Sequence, residues 1–206
     1  FAFRTPAVAS NRTGETVMSD IRILGAGDEN RLAAFFESAP DHTAIQRSNL
    51  ARAGAAWHGQ RYGGIFAGCF EGERLTGVIA HYWTGMLCPL VRDIGRDFRP
   101  LLEGLLDASP LPVNGVLGDW DQVTATLMHP RIGGRAVRRC AREILYGLPL
   151  DALLVPAPLR YGEITVRPIA ADDVPMLTAW RMDYLVDTFK LARSTATFDE
   201  AASELG

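Results

Sequence analysis

Gly64-Ile65-Phe66-Ala67-Gly68-Cys69-Phe70, then Glu71-Gly72-Glu73-Arg74, then Leu75-Thr76-Gly77-Val78-Ile79-Ala80-His81-Tyr82-Trp83 is the stretch that decides the fold of this chain. Each flank is an apolar, β-rich run of strand length, and the polar residues between them carry a glycine suited to a tight turn. A connection this short joins antiparallel neighbours, because parallel strands need a crossover of about a dozen residues. Thr84-Gly85 supplies another turn, and Met86 to Leu90 reads as a third strand. A central antiparallel meander of this kind excludes a doubly wound parallel sheet.

Working outward, Ile21 to Leu24 reads as a first strand. Asp28 is placed as a helix N-cap, and Leu32, Phe35 and Phe36 form one apolar stripe on the helix it opens. Pro40 ends that helix, and a second runs from about Thr43 to Ala53 with Ile45 and Leu50 inward and Gly54 as its stop. Beyond the meander come a helix from about Asp97 to Leu106, a strand from Val113 to Leu117, a helix from Trp120 to Met128 and a strand from Arg142 to Leu148. The order is β-α-α-β-β-β-α-β-α-β, an α/β fold (α+β, mixed sheet) with helices on both faces.

The opening module recurs. Ile21-Arg22-Ile23 with Asp28-Glu29-Asn30-Arg31-Leu32-Ala33-Ala34-Phe35 matches Ile164-Thr165-Val166 with Asp173-Val174-Pro175-Met176-Leu177-Thr178-Ala179-Trp180, 145 positions on. Each is a short β-branched strand, an Asp, a Leu four residues later, and Ala and a large aromatic at plus six and plus seven. Long-range self-similarity points to duplicated domains. The expected organisation is a disordered extension over 1–17, a domain over 18–155, a linker over 156–162 introduced by Leu154-Val155-Pro156-Ala157-Pro158, and the truncated start of a second domain over 163–206 with a final helix near Phe198 to Leu205.

Composition narrows the classes. The chain of 206 residues is 48% hydrophobic and 22% charged, enough apolar content to fold around a core without staples. A formal net charge of −3 argues against a nucleic-acid binder or a membrane-surface protein. Cys69, Cys88 and Cys140 are odd in number and show no C-x-x-C spacing, which argues against a disulfide framework or a zinc knuckle. A reducing cytoplasm is the expected setting, and the cysteines read as buried filler on or beside strands. No apolar run approaches the ~20 residues of a membrane helix.

Arg47-Ser48-Asn49-Leu50, Gly77-Val78-Ile79-Ala80-His81-Tyr82-Trp83, and Tyr161-Gly162-Glu163-Ile164-Thr165-Val166-Arg167-Pro168 leading to Ala179-Trp180-Arg181, taken with the element order, carry a resemblance. Over residues 20–206 the chain resembles the GNAT superfamily of N-acetyltransferases, and in particular the amino-terminal half of bacterial tandem-GNAT proteins. The resemblance implies acetyl-CoA as cofactor, an amine acceptor and no metal. It implies a pyrophosphate site between the fourth strand and the third helix, in a pattern Arg/Gln-x-x-Gly-x-Gly/Ala. A helix N-terminus offers unpaired N–H donors there, and glycines let phosphate oxygens approach.

Three loops bear on that site. Arg92-Asp93-Ile94-Gly95-Arg96-Asp97 stands in the implied place and satisfies Arg-x-x-Gly, so Arg92, Gly95 and Arg96 are the cofactor-binding candidates. Asp97 stands where Gly or Ala belongs, and with Asp93 it would repel a pyrophosphate. The alternative is an Asp-capped helix with flanking arginines in solvent. Arg131-Ile132-Gly133-Gly134-Arg135-Ala136 matches the letters but follows a helix and Pro130, and reads as a connecting loop. Gly25-Ala26-Gly27 begins like a dinucleotide fingerprint, but Asn30 stands where its third glycine belongs and the chain runs on into a second helix.

Acetyl transfer needs a base for the amine and an acid for the leaving thiolate. The family often supplies that acid as a Tyr after the fifth strand, but Gly118-Asp119-Trp120-Asp121-Gln122-Val123-Thr124 has none. His81 and Tyr82 alternate across a strand, so one could face a cleft; a core residue with a satisfied hydrogen bond is the competing reading. His42, His58 and His129 show no metal-ligand spacing, and Asp119 and Asp121 read as a helix-start pair. The expectation is a GNAT-type chain that is the non-catalytic or cofactor-binding half, or else an acetyl-CoA-sensing or structural module. Met176, Leu177, Trp180 and Tyr184 on one helix side would allow self-association.

Overall fold

The computed structural model describes residues 20–204. The reading of 1–17 as an extension lies outside the described residues. The chain divides between Gly147 and Leu148 into two compact units.

The first unit is built on a five-stranded sheet. Its strands are β1 (Asp20–Leu24), β2 (Gly64–Glu71), β3 (Arg74–Tyr82), β4 (Met86–Val91) and β5 (Gly115–Val116), in that spatial order. β1 to β4 pair antiparallel and β5 joins β4 in parallel, so the sheet is mixed. Gly72, at φ +61°, turns β2 into β3. Gly85 turns β3 into β4 at φ +79°, and a Cβ there would lie 2.4 Å from the Pro112 carbonyl oxygen, so that turn admits glycine alone.

Four helices accompany the sheet: α1 (Glu29–Glu37), α2 (Ala44–Ala53), α3 (Phe98–Ala108) and α4 (Trp120–Leu127). β2 and β3 are buried along nearly their whole length, so both faces carry apolar residues. On one face Phe66, Phe70, Val78 and Tyr82 meet Leu32, Phe35 and Phe36 of α1 and Leu50 of α2. On the other, Ile65, Ala67, Cys69 and Ile79 meet Phe98, Leu101, Leu102 and Leu105 of α3, whose spacing repeats every three to four residues. The α/β class with helices on both sheet faces is therefore as expected.

Two details of the first unit differ. Ile45 is 49% exposed, and α2 instead buries Gln46, Asn49 and Leu50. Residues 142–148 form no strand; all are exposed and lie outside regular structure. At the β5 edge of the sheet the ladder is two residues long, too short to satisfy another strand's backbone groups.

The second unit is helical: α5 (Ala157–Arg160), α6 (Val174–Phe189) and α7 (Thr195–Ser203). α6 packs on α7, burying Thr178 and Leu185 on one and Thr197 and Ala201 on the other. Ser194 caps α7 by accepting the Thr197 N–H, and Arg181 pairs with Glu204 at 2.5 Å. The expected strand at Ile164–Val166 is absent: no strand lies in this unit among the described residues, and Ile164 and Val166 are exposed. The expected linker at 156–162 contains α5. No described helix is long and apolar enough to cross a membrane.

Candidate functional site

The loop from Arg92 to Asp97 joins β4 to α3. Val91 ends β4 by donating its N–H to Gln122 Oε1 of α4 at 2.9 Å, so a buried side chain takes the place of the next strand. The chain then turns, with Asp97 N–H on the Asp93 carbonyl at 3.0 Å. Gly95 and Arg96 lie in this turn. Arg92 does not join them: its Nη2 reaches across to Ser38 Oγ, 3.3 Å away at the end of α1.

Arg96 is engaged at Nε and Nη2 by acids of its own chain. Nε donates to Asp97 Oδ1 at 2.7 Å and Nη2 to Asp97 Oδ2 at 3.0 Å, a forked contact. Nη2 also donates to Glu71 Oε1 at 2.6 Å, and Asp93 Oδ2 lies 3.8 Å from Nε. The backbone N–H of Arg96, a donor that an anion would want, goes to Asp93 Oδ1 at 3.1 Å. Hydrogen bonds from the guanidinium to Asp97, then to Glu71, raise the Arg96 pKa further above its ordinary range.

Three carboxylates thus surround one guanidinium, and Asp97 is 2% exposed. The local charge is negative, and a pyrophosphate would have to displace existing ionic contacts, one of them to the buried Asp97, while facing like charge. Gly95 does not signal close approach either, since a Cβ there would meet only Asp93 Oδ1 at 3.6 Å. The residues of this loop do not fit the pyrophosphate of acetyl-CoA. Asp93 was legible as a neighbour of Arg96 three residues away. Glu71, 25 residues earlier in the hairpin turn, gave no sequence signal.

The other glycine loops are occupied as well. Gly25 N–H donates to Asp28 Oδ2 at 3.1 Å and Gly27 N–H to Glu29 Oε2 at 2.8 Å. Backbone N–H donors of Glu29 itself, Gly27 and Ala55 hold the Glu29 carboxyl below its usual range. The Arg131–Ala136 stretch follows α4 as a turn. Gly133 and Ile132 donate to the His129 carbonyl at 2.7 and 2.9 Å, Ile132 plugs the α3-side core, and Arg131 pairs with Asp107 at 2.6 Å.

His81 and Tyr82 do point to opposite faces, and both are buried. Pro112's carbonyl can only accept, so His81 Nε2 carries the proton and donates to it at 3.3 Å, while Nδ1 accepts from Ser109 Oγ at 2.8 Å. Burial lowers the His81 pKa. The imidazole is neutral, hydrogen-bonded at both nitrogens and fully enclosed, a structural position. Tyr82 lies under α2, its hydroxyl beside Asn49 without a hydrogen bond of normal geometry, and burial raises its pKa. Neither group reaches solvent to exchange a proton with a substrate.

His42 pairs with Asp119 at 2.8 Å at the surface. Asp119 stands at the N-cap position of α4 and Asp121 in its first turn. Cys69 and Cys88 are buried, and burial pushes the Cys88 thiol up to about 12, which removes its nucleophilic form. Cys140 differs from expectation: with no strand around it, it is exposed. Among the described residues no three His, Cys, Asp or Glu side chains converge as a metal site. No family model matches the chain, and no curated protein or solved structure does either.

Proposed function

We propose that the chain is the non-catalytic half of a tandem GNAT-type N-acetyltransferase, acting as a structural module. The family reading rests on the β-α-α-β-β-β-α-β-α order over residues 20–127, the mixed sheet, and the position of the Arg92–Asp97 turn between the fourth strand and the third helix. The non-catalytic reading rests on one observation above the others: Arg96 is bound on its side chain and its backbone by Glu71, Asp93 and Asp97. Two further facts agree with it. No Tyr stands between Gly118 and Thr124. His81 and Tyr82 are sealed in the core.

A thiol-release assay with acetyl-CoA and a panel of amines tests this reading. The expected result is a rate equal to uncatalysed hydrolysis. Turnover that saturates in both substrates would overturn it. The alternative of an acetyl-CoA sensor predicts binding without turnover, so the same sample examined by equilibrium dialysis separates the two.

A further inference from the structure

Arg92 and Arg96 leave the same loop toward different partners. Where Arg96 is neutralised, Arg92 forms no ion pair among the described residues. It borders a shallow hollow of about 240 Å³ whose other walls are Arg31, Ala34, Phe35 and Ser38 of α1 and its end, and Leu75 at the start of β3. The hollow belongs entirely to the first unit.

Its chemistry is two-sided. Phe35 and Leu75, both buried, give it an apolar floor, and the exposed Ala34, Arg31 and Arg92 line it beside them. Ser38 Oγ donates to the Phe35 carbonyl at 2.7 Å, which leaves its lone pair facing Arg92 and steers that side chain over the floor. Arg92 uses one of the five N–H donors a guanidinium carries, roughly a full carboxylate fork remaining. Arg31 is held at Nη1 by Asp28 at 2.8 Å. Its guanidinium also lies 5.6 Å from the Phe70 ring centroid, and among the described residues the ion-pair partner of Nη2 is Glu73, 3.8 Å away and 86% exposed on the hairpin turn, a partner that an incoming acid can replace.

We propose that this hollow binds a small carboxylate with a compact apolar body, the acid bridging Arg92 and Arg31 Nη2 and the body resting on Phe35 and Leu75. An apolar floor with convergent polar groups at its edge is the usual composition of a small-molecule site. The inference is independent of the reading of the Arg96 loop.

The test is a titration of the ¹⁵N-labelled chain with sodium benzoate, followed by amide shifts. Saturable shifts at Ala34, Ser38, Leu75 and Arg92 are expected. Arg92→Gln should weaken binding by about tenfold through loss of the charged fork. Glu73→Gln, which removes the competing carboxylate, should tighten it about two- to fivefold. The spectrum of each variant away from the hollow reports that the fold is kept, and Arg92→Lys, which retains charge without the fork, should also weaken binding. Equal shifts with benzyl alcohol would show an apolar contact alone, and equal shifts with inorganic phosphate a bare anion site. Either outcome, or benzoate binding indifferent to Arg92→Gln, would overturn the proposal.

Discussion

Asp28 and Asp173 open two turns that are built alike. Asp28 accepts the N–H of Gly25, three residues back, and the guanidinium of Arg31. Asp173 accepts the N–H of Ala170, also three residues back, and the guanidinium of Arg167, which with that N–H holds its carboxyl below the usual range. Each turn leads into a helix. There the likeness ends. Before Asp28 the chain forms β1 and pairs with β2, and after it Leu32, Phe35 and Phe36 bury against the sheet. Before Asp173 no strand forms, and Trp180, which matches Phe35 in position, is 61% exposed where Phe35 is 6%. The short-range chemistry of a turn is written within a few residues. A strand and a buried helix face need partners that the second unit does not provide among the described residues.

The largest contrast is at the paired aromatics. Phe35→Ala should cost about 3–5 kcal/mol by opening a cavity in the core, whereas Trp180→Ala should stay within about 0.5 kcal/mol. Urea midpoints of the two variants check this, and a comparable loss at Trp180 would break the contrast.

Next in size is pH. His81 is buried in the first unit, and no histidine lies beyond residue 147. Burial lowers its folded-state pKa below the unfolded value of about 6.5, so the unfolded chain takes up the proton first as pH falls. Stability is full above that value and declines below it, with a slope of up to about 1.4 kcal/mol per pH unit from this one residue. His81→Leu should flatten the decline below pH ~6.5 although it costs stability at pH 8 by stranding Ser109 and Pro112. An unchanged slope in this variant would contradict the assignment.

Smaller again is the residue before each aspartate. Gly27 has φ +95°, so Gly27→Ala should cost about 1 kcal/mol, while Asp172→Ala should have little effect. Gly95→Ala in the Arg96 loop should be close to neutral, because a Cβ there makes only an ordinary 3.6 Å contact with Asp93 Oδ1.

The meander was legible because periodicity, β-branched content and short glycine turns agree across residues 64–90. The helices were legible from stripes such as Phe98, Leu101, Leu102 and Leu105. Strands at 142–148 and 164–166 were misread because the same local signals occur there without a partner strand, which is information a linear pattern does not hold. The candidate site was half legible. Arg92, Gly95 and Arg96 fall in the loop between β4 and α3, and the repulsion from Asp93 and Asp97 could be foreseen from charge. That Glu71 also pairs with Arg96, and that Arg92 turns to Ser38, depend on contacts 25 and 54 residues apart.

The central claim is that the Arg96 turn is filled by the chain's own carboxylates and does not hold the cofactor. Isothermal calorimetry of the chain against acetyl-CoA tests it directly. The account predicts no saturable heat. Binding at micromolar concentration that Arg96→Ala abolishes would contradict it.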